Sequence, residues 1–171
     1  NSKIYAFDIN EPNPTIAKKF DLVSDDGQLR QYTTQNNTIS YFQGDVFNTE
    51  DFDKFKSHIG SKVNIIFSDA QHTGLGLASE YINFIKDSLD EDFILYYDDL
   101  GSEAMRTIFF DIASDIHEKR KNTSSALIEV NGWLGQHEHA HLNGIVTSLN
   151  LQEIFANNDL NIRYWLNSSP E

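Results

Sequence analysis

Stretches rich in β-forming residues alternate with helical stretches along this chain, and four of the β-rich stretches end in aspartate. These are Asp8 in "YAFDIN", Asp45 in "FQGDVF", Asp69 in "IIFSDA" and the Asp98–Asp99 pair in "YYDDL". Strands alternating with helices predict an α/β fold whose largely parallel sheet is covered on both faces. In such sheets ligands gather beyond the carboxyl ends of the strands, where these acids fall. One aspartate at a strand end is ordinary turn or cap chemistry. Four successive strands delivering carboxylates to one edge is a pattern that points to a polar ligand.

The last pair is the most demanding. "FILYY" reads as a buried strand, and two adjacent carboxylates at its end repel each other and resist desolvation. A positive group is expected beside them. Asp69 and the Asp98–Asp99 pair, on strands expected to be neighbours, could converge on one hard cation, and oxygen-only ligands suit Mg²⁺. The competing reading is that Asp98 or Asp99 caps the helix starting near Ser102.

Composition narrows the classes. The 171 residues suffice for one domain with a real core, so residues 1–171 read as a single domain. A formal charge of −13 argues against nucleic acid and against an anionic membrane surface. Without cysteine there is no disulfide, thiolate nucleophile or thiolate metal site. No stretch approaches the ~20 apolar residues of a membrane span, so the default reading is a soluble, cytoplasmic protein. "NSKIYAFDIN" enters a strand almost at once, without a leader or initiator methionine, and looks cut.

Individual elements follow from local pattern. Residues 13–35 are polar and read as helix or loop, with Pro14 well placed at a helix start. "TEDFDKFKSHIG" has Thr49 as a cap candidate and Phe52, Phe55 and Ile59 on one face. "GLGLASEYINFIKDSLDED" spaces Leu77, Tyr81, Phe84, Ile85 and Leu89 as a helix. Ser102 caps a longer helix in which Phe109, Phe110 and Ile112 are core candidates, and Lys119, Arg120 and Lys121 suit its C-terminal dipole. "SALIEVNGW" and "GIVTSLNL" have no helix between them and predict a terminal antiparallel hairpin. "NDLNIRYWLNSSPE" reads as a closing strand or an arm onto a partner subunit of a homo-oligomer.

Taken in order and spacing, "IYAFDIN", "YFQGDVFN", "IIFSDAQHTG", "FILYYDDL" and "NGWLGQHEHAHLNGI" resemble a class I S-adenosylmethionine-dependent methyltransferase with a Rossmann-like sheet. More narrowly, they resemble the metal-dependent O-methyltransferases, including the sugar O-methyltransferase and cephalosporin-hydroxylase-like group. The resemblance runs from Lys3 to about Leu149. It implies that Asp8 binds the donor ribose and that Asp45, after Gly44, lies near the adenine amine with Val46 and Phe47 packing on the ring. It implies Asp69, Asp98 and Asp99 as Mg²⁺ ligands. Catechol-type members carry a lysine base three residues after the first metal aspartate, a step that falls here on His72. The alternative for His72 is a solvated loop or helix-entry residue. The implied activity is methyl transfer to a hydroxyl of a small metabolite such as a sugar or polyketide.

The family's first strand and glycine-rich loop have no counterpart. Gly74 and Gly76 in "HTGLGLASE" follow the wrong strand. The missing strand would lie between those ending in Asp8 and Asp69, so upstream residues are expected; without them a non-catalytic binding or assembly domain is the alternative. A third reading is a metalloenzyme built on His137, His139 and His141, which alternate in "GQHEHAHLNG" and share one side if extended. Trp133 just before them reads as core or pocket wall.

Overall fold

Residues 2–19, 23–24, 28–69, 71–131, 140–156 and 163–168 are described by the computed structural model. The chain divides into two units, Asn1–Ser61 and Lys62–Glu171.

The first unit contains β1 (Ser2–Asp8), α1 (Pro14–Lys19), β2 (Val23–Ser24), β3 (Leu29–Thr33), β4 (Asn37–Gln43) and α2 (Thr49–Ile59). Its sheet order is β1-β4-β3-β2, with β1 parallel to β4 and the remaining pairs antiparallel. β3 is a correction to the expected helix or loop. Its polar sequence carries little strand signal by itself, but the Thr34 hydroxyl oxygen accepts the N–H groups of Asn36 (3.2 Å) and Asn37 (2.9 Å), turning the chain back. Leu29 then pairs with Phe42 and Gln31 with Ser40, so tertiary pairing overrides local preference. Asn48, not Thr49, caps α2, accepting Glu50 N–H at 3.0 Å. Phe52 of α2 stacks on Phe7 with ring centroids 4.7 Å apart, and Phe55 meets the same ring tilted by 53° at 5.1 Å. Gly44 is needed there, because a Cβ would lie 2.7 Å from the Phe7 ring.

The second unit contains β5 (Val63–Ser68), α3 (Gly74–Glu80), a π-helical turn (Tyr81–Ile85), α4 (Lys86–Ser88), β6 (Leu89–Tyr97), α5 (Glu103–Lys119), β7 (Ser124–Asn131), β8 (Ala140–Thr147), α6 (Leu151–Ala156) and β9 (Arg163–Ser168). The order is β5-β6-β8-β7-β9, and only β5 and β6 run parallel. The fold is therefore α/β with mixed sheets, not the mostly parallel sheet expected. The expected terminal hairpin is present, with β8 antiparallel beside β6, β7 paired with β8 and β9 returning along β7; the unexpected antiparallel pairs are β2–β3 and β3–β4 of the first sheet.

Period-two alternation buries Phe93, Leu95 and Tyr97 of β6. α5 contributes Phe109, Ile112, Ala113 and Ile116 to the core at helical spacing. Phe110, one residue round the helix, is 50% exposed, correcting its assignment to the core. On β5, Ile65 and Phe67 are also exposed, so helices do not cover both faces of this sheet as expected. Arg120 does more than end α5. Its guanidinium donates to the carbonyls of Leu89 (3.0 Å) and Asp90 (2.5 Å) and lies 5.2 Å from the Phe93 ring centre, bracing the helix end to β6. Among the described residues no helix is long and apolar enough to cross a membrane.

Candidate functional site

Parallel pairing of Ser68 with Tyr97 puts Asp69 and Asp98 one residue beyond the ends of β5 and β6, at the same edge. Asp98 N–H donates to the Ser68 carbonyl at 3.0 Å and ties the two ends together. The chain then bends sharply. Asp99 adopts a left-handed φ of 50°, its N–H donates to buried Asn143 Oδ1 at 3.0 Å, and Leu100 N–H donates to the Leu142 carbonyl at 2.6 Å. Arg106 Nη1 donates to the carbonyls of Leu100 (3.1 Å) and Gly101 (2.7 Å), holding the bend from α5. Ser102 caps α5 by accepting Met105 N–H at 3.2 Å, so neither Asp98 nor Asp99 has that task.

The positive group sought beside the acids is His72. Its Nε2 lies 2.8 Å from Asp69 Oδ1 and its Nδ1 3.4 Å from Asp99 Oδ2, placing the imidazole between two carboxylates. The hydrogen bond to Asp69 raises its pKa, burial opposes that, and the charges of Asp69, Asp99 and Asp98 add to the rise. The protonated ring is the form that suits both contacts at once. His72 should therefore titrate above the ordinary histidine value in an NMR pH series, and Asp69→Asn should bring it back down. An unchanged titration in that variant would contradict the assignment. The sign for stability follows: this contribution is present below the unfolded pKa of about 6.5 and fades as pH rises through the folded one.

His141, on β8, brings a second imidazole to the same acid, with Nδ1 3.9 Å from Asp99 Oδ1. His137, His139 and Trp133 lie outside the described residues. Among the described residues no group of three His, Asp or Glu side chains stands ready to hold a metal ion. Asp69 and Asp99 each direct an oxygen at His72 instead. The side chains as they stand do not fit a formed Mg²⁺ site.

Behind this edge sits an acid that pattern reading passed over. Glu80 is 7% exposed, and Ser68 Oγ donates to its Oε2 at 2.5 Å. The signal was present: Glu80 falls three residues after Leu77 and four before Phe84, on the apolar face of the helix.

In the first unit, pairing of Asp8 with Gln43 sets Asp8 and Asp45 at the carboxyl edge of β1 and β4, where Gly44 N–H donates to the Asp8 carbonyl at 2.8 Å. Asp8 Oδ1 accepts the Asn10 N–H at 2.9 Å and its Nδ2 at 3.2 Å; Asp45 Oδ1 accepts Phe47 N–H at 2.9 Å. Burial, with the nearby Asp8 charge adding, pushes the Tyr41 hydroxyl up to about 12. Val46 is buried while Phe47 is exposed, so of the two Phe47 offers a surface to a ligand.

No family model, curated protein or solved structure matches this chain.

Proposed function

We propose that this chain serves methyl transfer from S-adenosylmethionine to a hydroxyl oxygen of a small hydroxylated metabolite. The observation that carries the reading is the Asp69–His72–Asp99 arrangement at the carboxyl edge of the parallel β5–β6 pair. Two acids at the equivalent edge of the parallel β1–β4 pair add support, as does the antiparallel β7–β8 hairpin beyond β6.

The chemistry assigned to the chain is proton transfer. Above its raised pKa His72 gives up the Nδ1 proton, and Asp69, holding Nε2–H, fixes the tautomer that leaves Nδ1 as the basic nitrogen. The longer contact of Nδ1 to Asp99 is the one that opens for an acceptor hydroxyl. His72 then takes the hydroxyl proton, and Asp69 stabilises the imidazolium that forms. The donor supplies an electrophilic methyl group: an O–CH₃ bond forms, the S–CH₃ bond breaks and the donor leaves as a neutral thioether. Asp8, Asp45 and Phe47 are assigned to its ribose and adenine. A cytoplasmic setting is part of the same proposal.

Calorimetric titration of S-adenosylmethionine into the chain tests the reading. Binding weakened about tenfold or more by Asp8→Ala, a loss of roughly 1.4 kcal/mol or more, is the expected result. His72→Asn should leave donor affinity in place and abolish transfer. Absence of donor binding in the unsubstituted protein would overturn the proposal.

A further inference from the structure

Ser68, Glu80 and Tyr97 form a buried polar group immediately behind the strand ends that carry Asp69 and Asp98, with exposures of 7%, 7% and 0%. Ser68 is shared between two bonds. Its hydroxyl donates to Glu80 Oε2 at 2.5 Å, and its backbone carbonyl accepts Asp98 N–H at 3.0 Å. Tyr97 faces Ser68 across the β5–β6 pair and directly precedes Asp98. Among the described residues, Glu80 Oε1 and the Tyr97 hydroxyl are the buried side-chain atoms left without a hydrogen-bond partner. Such atoms are costly, and native folds retain few without a reason. A leucine or methionine at position 80 would meet the packing requirement at lower cost.

We propose that Glu80 is a positioning residue of the acidic site: through Ser68 it locks the end of β5 to the end of β6 and so sets the reach from Asp69 to Asp98 and Asp99. The serine is the hinge of this device, because it binds Glu80 with its side chain and Asp98 with its backbone. The positioning depends on the charge of the carboxyl, since an ionised Glu80 accepts the Ser68 hydroxyl more strongly than a neutral one. Burial pushes Glu80 up to about 7, partly offset by the Ser68 bond; Asp69 pushes the same way and His72 the other. Of the remaining titratable groups, Tyr97 is held neutral by burial. Tyr81 donates to Asp115 at 2.5 Å, and Asp115 is paired with Lys119 at 2.6 Å.

The test reads the Asp98 backbone amide by NMR from pH 5.5 to 8.5 in a His72→Asn, His141→Asn background, which removes the titration of both rings that face Asp99. With Glu80 in place this background should show a step at or above the pH of about 7 set by burial, since the lowering charge of His72 is gone. Glu80→Gln preserves the shape and an acceptor for Ser68, yet the step should vanish, which a purely structural role for Glu80 would not produce. Ser68→Ala leaves the carboxyl able to ionise but cuts the link, so the step should vanish from Asp98 there too. A step that persists in either variant, or that is absent from the parent, overturns the proposal. Should Glu80→Gln fail to fold, Ser68→Ala alone decides. No methyl donor or acceptor enters this experiment, so its outcome is independent of the proposed methyl transfer.

Discussion

Phe109→Ala is expected to lower the stability of the second unit by about 3–5 kcal/mol. The ring is fully buried and meets Tyr97 edge-on, with centroids 6.0 Å apart. It also lies over Gly144 so closely that a Cβ there would stand 2.4 Å from it. The floor beneath it is β8, hydrogen-bonded on one side to β6 and on the other to β7. A strand held on both sides cannot sink into the space a phenyl leaves, so the cavity persists. Gly144→Ala probes the same contact from below, where overpacking costs about 1–3 kcal/mol. Phe110→Ala is the control: that ring is 50% exposed, and its removal should change stability by roughly 0.5 kcal/mol or less. Both tryptophans, Trp133 and Trp165, belong to the second unit, so urea unfolding followed by tryptophan fluorescence reports on it. Equal losses for Phe109→Ala and Phe110→Ala would contradict the assignment of the core face of α5.

Glu80→Gln should make the protein's stability less sensitive to alkaline pH. The Glu80 carboxyl is raised from an ordinary 4.5 to about 7, chiefly by burial. The folded state therefore binds this proton more tightly than the unfolded one. Its contribution is complete below about pH 4.5 and is lost as pH climbs to about 7, an amount on the order of 3 kcal/mol. Glutamine carries no such dependence. Urea midpoints for parent and variant should therefore diverge between pH 5 and pH 8, with Glu80→Gln gaining at the higher pH. Buried His117, whose pKa is lowered by desolvation, acts with the opposite sign, losing stability as pH falls below about 6.5. It is common to both proteins and cancels in the comparison. Parallel pH profiles would show that Glu80 gives up its proton as easily folded as unfolded.

The two experiments concern one structural unit from opposite sides. Phe109 packs on Tyr97, and Tyr97 shares the buried polar group with Glu80 and Ser68 behind Asp69 and Asp98. A rigid apolar floor and a tied pair of strand ends are what a site needs to hold side chains in a fixed geometry. Asn143 and Arg106 complete the support from β8 and α5, each satisfying a backbone group of the bend at Asp98–Gly101.

Much of this arrangement was legible in the chain itself. β6 runs through "FILYY" to Tyr97 because that stretch alternates buried positions, α5 begins after Ser102 because a hydroxyl there can cap it, and the two strand-forming stretches of β7 and β8 pair as the expected hairpin. These are local properties, encoded in the period of apolar residues and in the chemistry of a few end positions. Periodicity placed each aspartate at a strand end, but the expectation that all four share one edge is corrected by the pairing: Asp8 and Asp45 follow strands of one sheet, Asp69 and Asp98 strands of another. What tertiary structure alone decided was which elements meet. The polar segment Leu29–Thr33 became a strand because β4 offered it partners, and β8 rather than a parallel strand took the place beside β6. His72 became the counter-charge of Asp69 and Asp99, and His141 arrived at Asp99 from a strand more than forty residues away. Contacts between segments distant in sequence depend on which backbone edges and side-chain surfaces fit each other in space, and no local period records that.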